Sequence, residues 1–155
     1  MLLASDNSTA VIGLGLTGLS MARYFARCGR SFVAFDEKVS DESRLAFEAE
    51  FPNAHLVVAP LTEQDCTGFN TIALSPGVPL ATPSLAAAKD AGVSFVNDVT
   101  LFLDENATKA SPAKIVAVTG SNGKSTVVSW LHHALVSYGQ RSALAGNIGT
   151  SPLTL

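Results

Sequence analysis

Cysteine is scarce in this sequence. Cys28 and Cys66 are the only two, too few and too isolated for a disulfide framework or a zinc site, which suits a reducing compartment. Both are expected to be small, half-buried thiols without a role. Charge is also sparse: 15% of residues are charged and the net charge is −3. That leaves no basic footprint for nucleic acid or for an acidic membrane surface. No apolar run approaches the length of a membrane span. The opening MLLASDNSTA has neither a positive n-region nor a long apolar stretch, so no signal peptide or anchor is expected and the protein reads as cytoplasmic. Internal repeats and low-complexity segments are missing too. What remains is 155 residues, 47% of them apolar. These suit one ordinary domain, or a small domain plus part of another, with ample material for a core.

Turn chemistry and periodicity divide the chain into alternating strands and helices. Ser8 to Ile12 is a short apolar run ending in glycine, a buried-strand signal. From Thr17 to Cys28, Leu19, Ala22, Phe25 and Ala26 share one helical face, and Gly29 ends the helix. SFVAFD (Ser31 to Asp36) predicts a second strand. Ser40 caps a helix reaching about Glu50, with Asp41 and Glu42 in its positive first turn. HLVVA and NTIALS predict two further strands. Thr82 is placed to cap a helix that opens on Pro83 and stops at Gly92, and VSFVND is a fifth strand. This order, without tight hairpins, predicts an α/β fold with a parallel sheet covered by helices. A short helix from Asp98 to Asp104, opened by Asp98 as its cap, leads into a polar linker, NATKASPA. KIVAVTG then predicts a strand. A helix from Ser125 to Tyr138 follows, with Val127, Leu131, Ala134, Leu135 and Tyr138 inward. The expected division is residues 1–97 as a first domain and 98–155 as the beginning of a second, which Leu155 leaves unfinished.

Two stretches carry phosphate chemistry. Gly13, Gly15 and Gly18 spell GxGxxG directly after a strand and opening a helix. The first glycine permits the tight turn, the second lets backbone approach a pyrophosphate, and the third packs helix on strand. Free N–H groups at the positive helix end then meet the anion. Asp36 ends the second strand, where a carboxylate can accept a hydrogen bond from a ribose or a base. The motif does not distinguish NAD from a UDP-sugar, and a ligand-free tight turn also satisfies it. SPGVP (Ser75 to Pro79) comes after the fourth strand on the same carboxyl edge of the sheet, although a plain proline-glycine turn would look the same.

The second stretch is TGSNGKST, Thr119 to Thr126. Lys124 follows Gly123 and precedes Ser125 as in a P-loop, with the lysine on the β/γ-phosphates and the hydroxyl on magnesium. The strict pattern, GxxxxGK followed by Ser or Thr, fails because Val118 stands at its first glycine. That glycine has moved to Gly120. A strand before and a helix after still let backbone N–H groups wrap phosphates at a helix N-terminus. His132 and His133 are adjacent on the next helix, so they point about 100° apart and form no shared metal site.

The shifted loop resembles the ATP loop of the Mur ligases and of the related folylpolyglutamate synthetases. VIGLGLTGLSMARYF, SPGVP, NDVTLF, TGSNGKST and GNIG occur in the order seen in the D-glutamate-adding Mur ligases, across essentially the whole chain. The resemblance implies a Rossmann-like domain holding the UDP part of UDP-N-acetylmuramoyl-L-alanine, followed by the start of a central P-loop α/β domain that binds ATP and Mg2+. Position by position, Gly13, Gly15, Leu16, Thr17 and Gly18 match the diphosphate turn. Asp36, Glu37 and Lys38 match the uracil contacts, with Lys38 where the family more often has arginine. Ser75, Pro76 and Gly77 match the loop beside the sugar-diphosphate, and Asn147 matches another diphosphate contact. Gly120, Ser121, Asn122, Gly123, Lys124, Ser125 and Thr126 match the ATP loop, with Lys124 catalytic on the phosphates and Ser125 on magnesium. The implied reaction joins D-glutamate to the L-alanyl carboxylate through an acyl phosphate, in peptidoglycan synthesis, by a monomer. The family's remaining metal ligands and its amino-acid pocket lie further along, so catalysis by this stretch alone is not expected.

Other readings compete. An NAD-dependent dehydrogenase domain explains the first glycine motif and Asp36 but leaves TGSNGKST without a task. Folylpolyglutamate synthetases share the loop but lack a preceding GxGxxG domain, and L-alanine-adding Mur ligases usually carry histidine at the position of Asn122. A non-catalytic UDP-sugar sensor would expose half of an unfinished core.

Overall fold

The computed structural model describes residues 9–146, 148 and 150–155. They form two compact units dividing between Asp98 and Val99. The first unit alternates strand and helix: β1 (Thr9–Ile12), α1 (Leu16–Arg27), β2 (Phe32–Asp36), α2 (Asp41–Glu50), β3 (His55–Val58), β4 (Thr71–Leu74), α3 (Pro83–Asp90) and β5 (Ser94–Val96). A 3₁₀ turn, Leu61–Glu63, lies between β3 and β4. All pairings are parallel, in the order β3-β2-β1-β4-β5. The α/β expectation therefore holds for this unit.

The strand order positions the site. The chain moves outward from β1 through β2 to β3, then crosses back to place β4 on the other side of β1. Brought into register, Ile12 faces Phe35 on one side and Leu74 on the other. Connections therefore diverge between the carboxyl ends of β1 and β4, opening the crevice in which doubly wound sheets take their ligands. β1 is buried along its whole length, as a central strand covered on both faces must be. Ala10, Ile12, Phe35, Ile72, Leu85, Ala88, Leu61 and Cys66 make the core beneath it. A second aromatic cluster sits where α2 meets the sheet: Phe32 lies edge-on to both Phe47 and Phe51, the geometry ring quadrupoles favour.

Local signals account for most boundaries. Ser40 accepts the Ser43 amide at 3.2 Å and caps α2. α1 ends in a Schellman motif: Gly29, at φ +67, donates to the Ala26 carbonyl, and Arg30 donates to Phe25. Thr82 occupies the N-cap position of α3, but its hydroxyl turns back to the Pro79 carbonyl at 2.7 Å instead of capping. The buried stripe of α1 is Gly18, Met21, Ala22 and Phe25 with Ser20, while Leu19 is half-buried and Ala26 exposed. The rotation away from the expected face brings Gly18 under the turn that precedes the helix. Neither cysteine is half-buried. Cys28 is exposed and Cys66 is buried, its thiol pKa pushed up chiefly by desolvation.

In the second unit, α4 (Asp98–Thr108) opens on Asp98 and runs beyond the expected stop at Asp104 into the polar linker. Asn106 holds that linker, donating to the Ala113 carbonyl at 3.1 Å and accepting the Ala113 amide at 2.9 Å. KIVAVTG is not a strand: no ladder partner lies beside it among the described residues, and Ile115 and Val116 are exposed. A lone extended segment has its backbone groups unpaired, and pairing is what makes a strand. α5 (Lys124–Ser137) forms as a helix but buries no residue. Leu131 and Leu135 are half-buried, whereas Val127, Ala134 and Tyr138 are exposed, contrary to the inward face its spacing predicts. Helical hydrogen bonds are internal to the segment and form without a neighbour, while an apolar stripe needs one to be covered. No helix among the described residues is long and apolar enough to cross a membrane.

Candidate nucleotide site

The glycine turn lies at the carboxyl end of β1, held from both flanks. Its first residue, Gly13, has φ +82 and donates to the Phe35 carbonyl of β2 at 2.8 Å. A Cβ at Gly13 would come within 2.9 Å of Val78 Cγ2 and 3.1 Å of Ser75 Cβ. At Gly18 a Cβ would lie 1.7 Å from the Gly13 carbonyl oxygen, an impossible overlap. Gly15 has open space around it and is the N-cap of α1. The three glycines thus divide the work as the spacing implies: a left-handed turn, an unobstructed approach, and close packing of helix on turn.

The N-terminus of α1 has no side-chain cap and no acid in its first turn. Among the described residues the amides of Gly15, Leu16, Thr17 and Gly18 have no hydrogen-bond partner, and neither does the Thr17 hydroxyl. Unpaired amides and the positive end of the helix dipole together suit an anion. Leu16 is 91% exposed beside them.

Asp36 and Ser75 flank this turn. Asp36 Oδ2 accepts the Leu14 amide at 2.6 Å, and Oδ1 accepts the Lys38 amide at 2.9 Å. Glu37 accepts the Leu61 amide at 3.0 Å and so ties the β2–α2 connection to the 3₁₀ turn, leaving Lys38 exposed. On the other flank Ser75, itself buried, donates its amide to Ile12 and its hydroxyl to the Gly13 carbonyl at 2.8 Å. Ser75, Pro76, Gly77 and Val78 form a turn closed by the Val78 amide on the Ser75 carbonyl, with proline in the position that presets its φ. The structure therefore brings together Gly13, Gly15, Leu16, Thr17, Gly18, Asp36 and Ser75. The engagement of Asp36 and Ser75 with backbone was not visible in the sequence, because it depends on strands brought side by side in the sheet. Asn147 lies outside the described residues.

The second loop, taken by itself, is exposed from Gly120 to Thr126. Gly120 and Gly123 have φ +144 and +76, and Gly123 is the N-cap of α5. No side chain caps this helix and no acid stands in its first turn. The Lys124 ammonium donates to the Gly120 carbonyl and, at 3.3 Å, to that of Ser121. A cation held across the loop, beside the uncapped amides of Lys124, Ser125 and Thr126, fits phosphate. His132 is half-buried, with Nδ1 3.0 Å from Ser142 Oγ, and His133 is exposed. Among the described residues no group of three His, Cys, Asp or Glu side chains could hold a metal ion.

Residues 7–97, which include the glycine turn, Asp36 and Ser75, match the family model for the N-terminal domain of MurD-like Mur ligases. The chain belongs to this family. Proteins named UDP-N-acetylmuramoylalanine–D-glutamate ligase are similar along almost its entire length. That of Saccharophagus degradans is 41% identical, covering 99% of this chain and 34% of its own. The Pseudomonas aeruginosa protein is 36% identical over 99% of this chain and 33% of its own. The present chain thus spans about a third of the length of these MurD-like relatives. A Mur ligase from Neisseria meningitides, solved as UDP-N-acetylmuramate:L-alanyl-gamma-D-glutamyl-meso-diaminopimelate ligase, superposes with a TM-score of 0.55 at 16% identity. The match covers 95% of this chain and 46% of that one, a likeness of fold.

Proposed function

We propose that this MurD-like chain contributes the UDP-substrate domain, residues 1–97, and the first part of the ATP domain, residues 98–155, to an ATP-dependent amide-forming ligase. That ligase adds D-glutamate to UDP-N-acetylmuramoyl-L-alanine in the cytoplasmic stage of peptidoglycan synthesis, as a monomer. The observation that carries the reading is the uncapped start of α1, with the unpartnered amides of Gly15 to Gly18 at the switch point of the sheet. Those amides and the Thr17 hydroxyl hold the diphosphate. Asp36, Glu37 and Lys38 face the uracil, and the turn at Ser75, Pro76 and Gly77 borders the sugar.

A carboxylate is a poor electrophile, so its oxygen must first become a leaving group. The L-alanyl carboxylate attacks the γ-phosphorus of ATP, and ADP departs. The D-glutamate amine then attacks the acyl carbon, releasing phosphate and losing a proton. Lys124 offsets the charge on the transferring phosphoryl, and Gly120, Ser121, Asn122, Gly123 and Thr126 wrap the phosphates with backbone and side-chain donors. Ser125 would offer its hydroxyl to magnesium, which would supply positive charge against that of the phosphates.

Calorimetric or NMR titration of the chain with UDP and with NAD at equal concentration tests the first site. Saturable UDP binding with no NAD response is the expected result. Saturable NAD binding without a UDP response would replace the ligase reading by a dehydrogenase domain.

A further inference from the structure

We propose that Ser75 and Asp36 are positioning residues of the glycine turn, acting on the diphosphate through Gly13 and Leu14 instead of touching it. The inference rests on the reading of that turn as the diphosphate site and revises what two of its residues do there. Hydrogen-bond capacity decides between contact and support. A serine hydroxyl has a single proton, and that of Ser75 is given to the Gly13 carbonyl at 2.8 Å. What Ser75 has left to present is lone pairs, which a diphosphate repels. The amide of Ser75 is committed as well, to Ile12 at 3.0 Å. Asp36 is an acceptor only when ionised, and its two oxygens already take the amides of Leu14 and Lys38.

The effect on the turn depends on which groups are removed and which are left. Leu14 would otherwise be the first free amide after β1, and Asp36 takes it out of the set that can meet an anion. The Gly13 carbonyl, whose negative end would oppose a phosphate, is held between the Ser75 hydroxyl and the bare Cα of Gly18, which leaves no room for even a methyl group. With one carbonyl turned inward and one amide consumed, the donors left without partners among the described residues are those of Gly15, Leu16, Thr17 and Gly18. Binding then costs little ordering of the turn, because the protein has already fixed it.

The test uses the 155-residue chain, with Ser75→Ala and Asp36→Asn, amide NMR spectra and hydrogen exchange without ligand, and UDP titration. Asn keeps the size of Asp but sets an NH2 against one of the two amides. Expected are altered shifts and faster exchange from Gly13 to Gly18 in the ligand-free variants, with UDP affinity reduced about tenfold or more, as when a buried hydrogen bond is lost. Weaker UDP binding with an unchanged ligand-free turn would overturn the proposal in favour of direct contact and keep the site. Unchanged affinity would overturn it outright. A wild-type chain that ignores UDP would reject the reading of the site itself, and this proposal with it. Should Ser75→Ala fail to fold, Asp36→Asn decides, because Asp36 lies at the carboxyl edge of the sheet and not in its core.

Discussion

The two glycine loops of this chain are held by different support. The Gly13–Gly18 turn is built into a sheet: β2 supplies the Phe35 carbonyl and the Asp36 carboxylate, and the end of β4 supplies Ser75. The Gly120–Thr126 loop draws its described hydrogen bonds from itself, with Lys124 reaching back to Gly120 and Ser121. The difference separates two uses of glycine. In the first loop Gly18 is required by a neighbour, since a Cβ would strike the Gly13 oxygen. In the second, a Cβ at Gly120 would meet only the Asn122 carbonyl, at 3.9 Å, and glycine is required by the backbone angle alone. A sheet-anchored turn is fixed by its surroundings, whereas a self-held loop is fixed by its own dihedrals and one cation.

The comparison breaks most sharply at Lys124. On the ligase function proposed above, Lys124→Ala in a full-length MurD-like protein carrying this chain should reduce acyl-phosphate formation about a thousandfold, close to 4 kcal/mol in the transition state. UDP-substrate affinity should stay near wild type. Turnover above a tenth of the wild-type value, read in a phosphate-release assay, would end the role given to this lysine.

Gly18→Ala comes next. Overpacking against backbone has no flexible side chain to yield, so about 3 kcal/mol or more of stability should be lost, measured by denaturant unfolding. Gly15→Ala is the control, with open space at its Cβ position; the weaker N-cap and the lower unfolded-state entropy largely offset, so its midpoint should stay close to wild type and well above that of Gly18→Ala. Equal midpoints for the two variants would show that helix and turn do not meet as closely as described.

Thr17→Ala sharpens the contrast between residues that serve the ligand and residues that serve the turn. Its hydroxyl has no partner among the described residues, so removing it should leave stability unchanged. UDP binding should weaken by roughly 1–1.5 kcal/mol. A fall in the unfolding midpoint with no change in UDP affinity would reverse that assignment.

The smallest effect is expected at the surface of the first unit. Arg23 and Glu50 form a bidentate pair at 2.6 and 3.1 Å, and the guanidinium hydrogen bond holds the Glu50 carboxyl below its usual range. A depressed carboxyl adds stability above its unfolded pKa, and that stability is lost as the pH falls through the lower, folded value. Both side chains are more than a third exposed, so Glu50→Gln should cost at most about 0.5 kcal/mol at neutral pH. The difference should vanish in acid and shrink in high salt. A loss that persists in strong acid would trace to packing instead.

How much the sequence discloses obeys the same division. The strands and helices of the first unit, the Ser40 cap and the Gly29 stop are local in origin, and pattern and turn chemistry place them within a residue or two. So are the positions of both glycine loops. What depends on tertiary partners stays hidden. The partners of Asp36 become apparent only when β1 and β2 lie in register, and those of Ser75 when β4 does. KIVAVTG carries the composition of a strand, yet pairing is a property of two segments and no described residue pairs with it. The α5 spacing encodes a helix correctly but encodes its covered face only in combination with a covering surface. The rotation of the α1 stripe has a similar cause. Hydrophobicity marks Leu19 and Ala26, but Gly18, nearly invisible on any hydrophobic scale, must lie against Gly13.

Asn106 has a consequence for how this chain can vary. Its side-chain amide donates to and accepts from the backbone of Ala113, so a single residue imitates a peptide group of a neighbouring strand. Residues 107–112 become an enclosed ring pinned at its two ends, and the direction in which the backbone leaves for KIVAVTG is set by the pin. Residues 109–112 lie past the end of α4, so substitutions there should leave the direction of the chain beyond Ala113 unchanged. The asparagine itself has no such latitude: aspartate would lack the donor, glutamine would overreach by a methylene, and only the carboxamide at this length closes the ring.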